Sequence, residues 1–169
     1  MTAGVTATIR AALRGVLIGA NDLADPTIAF GDKTTWSDEI APGTGTGQAN
    51  KMFSDERQIA AGSSENLDLA GGLSDPFGVA LTFTKIKAMM VIADAANDGL
   101  ISIGGAASNA FIGPFADATD IVKLAAGEML LITNLGAGWT VTASTGDILK
   151  VANSGAAQGT YKIVLIGVG

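Results

Sequence analysis

The 169-residue chain predicts an all-β fold: one antiparallel β-sandwich or jelly-roll-like domain, residues 1–169, with an irregular N-terminal region. Three observations predict it. The apolar residues, 48% of the total, fall in short runs rich in Ala, Val, Ile and Leu. Gly, Asn, Asp and Ser break those runs, and 23 glycines supply much of the punctuation. Roughly eight to ten runs recur at intervals of about 8–15 residues, the rhythm of a sandwich or jelly roll. No repeat of about 20–50 residues is visible, which argues against a solenoid.

From the N-terminus, Thr6–Leu17 reads with period two. Ala7, Ile9, Ala11, Leu13 and Leu17 share one face, with Thr6, Thr8, Arg10, Ala12 and Arg14 on the other. A helix competes here, because Arg10 and Arg14 also suit helical spacing. Gly4, Gly15 and Gly19 oppose it, each costing ~1 kcal/mol in a helix interior, so a strand is preferred. Thr27–Asn50 reads as an extended arm or long loop, ending in the glycine-alternating APGTGTGQAN of Ala41–Asn50. Strands are then expected over Met52–Ala60 and Glu65–Leu69, followed by a strong turn at Ser74–Gly78.

Leu81–Ala93 alternates, and towards its end both faces are apolar, as in a strand buried on both sides. Asn97-Asp98-Gly99 carries the turn chemistry of a hairpin leading into Leu100–Ile103. A glycine-rich stretch and loop occupy Gly104–Asp120. Further strands are expected at Glu128–Thr133, Trp139–Ala143, Ile148–Ala152 and Tyr161–Val168, although Leu124–Leu131 also fits one helical turn.

Composition excludes much chemistry. There is no His and no Cys, hence no imidazole base, no thiolate and no nitrogen or sulfur metal ligand. Ten Lys and Arg face sixteen Asp and Glu, for a net charge of −6. Such a surface is repelled by bare nucleic acid and anionic lipid, so neither is expected as a partner. The mildly apolar Ile9–Leu23 is interrupted by Arg10 and Arg14, which does not suit a signal peptide. No uncharged apolar stretch is long enough to span a bilayer, and a soluble protein is expected.

Candidate sites are sparse. GTGTG at Gly43–Gly47 and GGAASN at Gly104–Asn109 lack the Lys and the following helix of a phosphate loop, so they read as turn or close-packing glycines. Asp22 with Asp25, and Asp117 with Asp120, do not reproduce a calcium-loop spacing and read as turn caps. No catalytic, cofactor-binding or metal-binding residue is assigned, and no enzymatic activity is expected. A glycosidase would need paired carboxylates in an aromatic-lined cleft, and aromatic residues are only 5% of the chain. What remains is contact chemistry. Phe30 and Trp36 are candidate anchors within the arm. Arg10, Arg14, Lys85 and Lys87 are candidates to pair with acids on a neighbouring subunit, or else solvated edge charges.

Three stretches carry a resemblance: DERQIAAGSSENLDLAGGLSDPFGVALTFTKIKAMMV (Asp55–Val91), GGAASNAFIGPFADATDIV (Gly104–Val122) and WTVTASTGDILKVANSGAAQGTYKIVLIG (Trp139–Gly167). Together they resemble a family of small virion structural proteins of tailed bacteriophages. The resemblance covers roughly residues 50–167 and implies a β-sandwich virion component without catalytic residues. The implied setting is the capsid surface, with synthesis in the host bacterial cytoplasm. The expected role is that of a decoration or cement protein at capsomer junctions. Its partners would be the major capsid protein and further copies of itself, a homotrimer being the form that suits local threefold sites. A tail, neck or fibre component is the alternative, and a particle-borne glycan hydrolase a remote one.

Overall fold

The computed structural model describes residues 4–18, 27–31 and 34–169, which form strands, turns and bends without a helix. The N-terminal strands are β1 (Ala7–Ala12), β2 (Gly15–Ile18), β3 (Thr27–Phe30), β4 (Thr35–Pro42) and β5 (Gln48–Ala49). Then come β6 (Lys51–Ile59), β7 (Ser64–Asp68), β8 (Leu73–Ser74), β9 (Ala80–Leu81), β10 (Lys85–Ala93) and β11 (Ile101–Gly104). The last five are β12 (Ile121–Leu124), β13 (Met129–Thr133), β14 (Trp139–Thr140), β15 (Ile148–Asn153) and β16 (Gly159–Val168).

Two antiparallel sheets make the sandwich. The long sheet runs β6-β16-β10-β13, with β14 also on β10, and the short sheet runs β7-β15-β11-β12. Position by position, each strand of one sheet is the sequence neighbour of its counterpart in the other: β6 with β7, β16 with β15, β10 with β11, β13 with β12. That is jelly-roll wiring. Asn97-Asp98-Gly99 is therefore a corner between sheets and not a hairpin, because β10 and β11 do not pair. Its side chains tie the corner down. Asn97 exchanges two hydrogen bonds with the Thr160 backbone, and Asp98 accepts the N–H groups of Ala156 and Ala157. The helical alternative at Leu124–Leu131 is absent: β12 ends, a turn at Ala125–Glu128 follows, and β13 begins.

Inward-facing residues alternate as a half-buried sheet requires. Tyr161, Ile163 and Leu165 of β16, Met89 and Val91 of β10, Ile101 and Ile103 of β11, and Leu149 and Val151 of β15 fill the main core. The opposite face of the long sheet is covered too. There Ala88, Val164, Ile166 and Leu131 meet Ile9 of β1 and Ile40 of β4 in a second, smaller core. The doubly apolar end of Leu81–Ala93 is thus a strand between two layers.

That third layer is the N-terminal region. β1 pairs antiparallel with β4, and β2 with β3, so residues 7–18, 27–31 and 34–42 form one interrupted two-stranded ribbon. A hydrogen bond from Leu13 N–H to the Thr34 carbonyl keeps the two halves in line. The stretch read as an irregular arm is consequently regular strand over β3 and β4, with Gly43–Gly47 as its loop. The sequence hid this because the β3–β4 half of the ribbon is exposed for most of its length, and no alternation marks it.

Candidate interaction surface

The ribbon leaves the body soon after its root. Ile9 and Ile40 are buried, 9% and 1% exposed, whereas every described side chain from Arg10 to Ile18 is exposed apart from the half-buried Gly15. Strand register sorts the β2–β3 hairpin into two faces. Leu17 lies opposite Ile28 on one; Val16 opposite Ala29 and Ile18 opposite Thr27 lie on the other. Leu17, Ile28, Val16 and Ile18 are 59–70% exposed. Fully burying such a side chain is worth about 1.5–3 kcal/mol, so at two-thirds exposure the four leave roughly 4–8 kcal/mol of transfer energy unused. An isolated two-stranded hairpin is only marginally stable in water. A partner surface is the physical remedy.

Trp36 sits on β4 opposite Ala11 and is 41% exposed. It shares the ribbon face of Ile9 and Ile40, and so continues the body-facing apolar stripe beyond the body's edge. Phe30 is the last residue of β3, opposite Gly15; its side chain lies outside the described residues. Arg10 borders an apolar cleft of about 250 Å³ between the ribbon root and the long sheet, together with Ile9, Ala88, Met90 and Leu131. Arg14 packs its aliphatic stem over Gly31, where a Cβ would lie 2.6 Å from Arg14 Cγ. Lys85 is exposed at the start of β10. Among the described residues, none of these three cations forms an ion pair.

Lys87 does not belong with them. Alternation placed it beside Lys85 on one face, but β10 carries a bulge between Ile86 and Ala88 that inserts Lys87 as an extra residue. Its side chain is buried at 2% exposure and its Nζ donates to the Gly45 carbonyl, pinning the glycine loop to the sheet. Burial lowers its pKa from the ordinary lysine value, and the charge of Lys85 adds to the effect. It is neither a solvated edge charge nor a subunit contact.

Two features escaped sequence reading. At the β6/β7 edge of the sandwich, Glu65 faces inward with Leu67. Its Oε1 accepts the Tyr161 hydroxyl at 2.9 Å, and its Oε2 accepts Arg57 Nε and Nη2 at 2.9 and 2.5 Å. Arg57 also donates to Asp55 at 2.9 Å, so one network ties the two sheets together. The parity of Asp55 and Arg57 with Phe53 and Ile59 was the available signal. The second is the display of Phe77 at the tip of the expected Ser74–Gly78 turn. Asp75 Oδ1 accepts the N–H groups of Phe77 and Val79, holding Phe77 at 90% exposure.

The acids behave as caps. Asp117 accepts the N–H and hydroxyl of Thr119, which together lower its pKa, and Asp120 accepts the N–H groups of Ala116 and Asp117. Asp22 and Asp25 lie outside the described residues. Among the described residues, no group of three or more His, Cys, Asp or Glu is placed to hold a metal ion. No described helix is long and apolar enough to cross a membrane, which says nothing about strands.

No family matches. Neither a protein-family model nor any curated protein corresponds to the chain.

Proposed function

We propose that this chain is a virion structural protein of a tailed bacteriophage. In this reading it is a decoration or cement protein that binds the major capsid protein on the outer head surface and stabilises capsomer junctions. The observation that carries the proposal is the ribbon, a two-stranded arm that leaves a jelly-roll body and bears exposed apolar side chains, Trp36 among them. Jelly rolls recur in viral shells and also in lectins, so the fold is compatible with this role without assigning it. The resemblance of Asp55–Val91, Gly104–Val122 and Trp139–Gly167 to phage virion proteins supplies the setting. Many weak contacts from such arms give tight retention through high effective concentration.

Trp36, with Arg10 and Arg14 on the same ribbon, is the contact we assign to the shell. Deleting Thr27–Asn50 is a poor test, because it removes Ile40 and Ala49 from the second core and unpairs β1. Trp36→Ala is cleaner. It removes an indole 41% exposed, leaves both cores intact, and is expected to weaken co-sedimentation with empty shells by tenfold or more at unchanged thermal stability. Unchanged attachment rejects Trp36 as an anchor. Quantitative mass spectrometry of purified particles tests the role itself. A copy number approaching that of the major capsid protein supports decoration of the shell. A few to a few dozen copies move the chain to neck, tail or fibre, and absence from particles refutes the proposal.

A further inference from the structure

We propose that the β2–β3 hairpin of one copy adds to the β13 edge of the long sheet of a second copy, linking the chains head to tail. The inference concerns the chain alone and does not depend on the virion reading.

Both halves of the contact are visible in one molecule. Three of the four outer strands longer than two residues carry charge that discourages edge pairing: Lys51, Asp55, Glu56 and Arg57 on β6, Glu65 and Asp68 on β7, Lys123 on β12. The fourth, β13, reads Met-Leu-Leu-Ile-Thr without charge or proline; among the described strands it pairs only with β10. The long sheet is covered on both faces at this edge, Leu130 and Ile132 joining the main core and Leu131 the second. A strand added there therefore needs apolar residues on both of its faces. The hairpin has them, Leu17 and Ile28 on one face and Val16 and Ile18 on the other, and neither of its strands carries a charge.

A second copy is the occupant for two reasons. The ribbon root lies over the chain's own long sheet at Ile9, and about 3.3 Å per residue carries Leu17 roughly 26 Å further along. The exposure of Arg10–Ile18 agrees that the hairpin does not fold back. With a net charge of −6, two copies approach at least electrostatic cost through uncharged surface, and both elements supply it. A contact between two different patches closes into a ring or runs on as a filament, and three copies make the smallest closed ring beyond a pair.

The test is sedimentation velocity on the intact chain up to about 100 μM, well within the range of modest interfaces. Wild type is expected to assemble beyond the monomer. Leu17→Asp and Met129→Lys each change an exposed side chain, 64% and 56%, so circular dichroism should show both folded. Each variant alone is expected to raise the dissociation constant at least tenfold. Mixed, they should form a one-to-one pair, because the Met129→Lys copy keeps an intact hairpin and the Leu17→Asp copy an intact edge. A monomeric wild type at 100 μM, a variant that assembles by itself as wild type does, or a mixture that stays monomeric each overturns the proposal. Shell attachment is scored separately through Trp36→Ala, so failure of either idea is distinguishable from failure of the other.

Discussion

Tyr161→Phe isolates the bond that joins the two sheets at their β6/β7 edge. Tyr161 is fully buried and its hydroxyl gives a single hydrogen bond, at 2.9 Å, to Glu65 Oε1. A bond to a charged acceptor is worth about 1.5–3 kcal/mol. The Glu65 side chain is 22% exposed, so water partly takes over the freed oxygen, and the lower end applies: about 1.5–2 kcal/mol. For a chain of this size that is a drop of roughly 3–8 °C in melting temperature, with the urea m-value unchanged. The pH dependence is a second readout. Burial, then the charge of Glu65 and the hydrogen bond to it, push the Tyr161 phenol well above its ordinary range. Below about pH 10 the proton is held in both states. Above it the unfolded chain releases the proton while the folded chain keeps it, so wild-type stability falls as pH rises. The gap between wild type and Tyr161→Phe must therefore narrow above about pH 10. Tyr161 is the only tyrosine, so phenolate absorbance reports it alone and should rise only with unfolding. A loss under about 0.5 kcal/mol, or a phenolate signal near pH 10 in the folded protein, would refute the reasoning.

Three further substitutions probe the bulge and the glycine loop. Lys87→Met should stabilise the protein at neutral pH by about 1 kcal/mol or more, since it removes a buried charge whose acceptor, the exposed Gly45 carbonyl, can turn to water. The lowered Lys87 pKa means the unfolded chain binds the extra proton, so the penalty is fullest below the folded value and fades as pH climbs towards about 10.4. Thermal melts across pH check this, and a variant less stable than wild type at neutral pH would show that the Gly45 contact outweighs the burial. Gly167→Ala should cost about 3 kcal/mol or more, because its Cβ would lie 2.1 Å from the Lys85 carbonyl oxygen, a backbone atom across the bulge. Gly47→Ala has open space within 4 Å but a φ of +65°, and should cost only about 1–2 kcal/mol in the same urea assay.

Strand existence was legible because burial on one face writes alternation into the sequence. Glu65–Leu69, Ile148–Ala152 and Tyr161–Val168 show it, and the doubly apolar end of Leu81–Ala93 foretold a sheet covered on both sides. Pairing was not legible. Asn97-Asp98-Gly99 encodes a local reversal, yet nothing local says whether the next strand joins the same sheet or the facing one. The Lys87 bulge is likewise set by the partner strand, where Ile86 and Ala88 meet the consecutive residues Gly167 and Ile166. Of the contact candidates, Trp36, Arg10 and Arg14 do share the ribbon, while the bulge that inserts Lys87 parts it from Lys85. The hairpin's exposure was not legible because Val16-Leu17-Ile18 reads like an ordinary buried apolar run.

The wiring of the jelly roll sets a clock on synthesis. β16, which joins β6 to β10 at the centre of the long sheet, follows every other described strand in sequence and so is made after them. Until residues 159–168 emerge, β6 and β10 have no strand between them, and Phe53, Met89 and Val91 lack the Ile163 and Leu165 side they pack beside. The nascent chain must hold these apolar strands without their central partner until β16 is made, a period in which aggregation competes with folding. Closure of the long sheet therefore waits for residues 159–168.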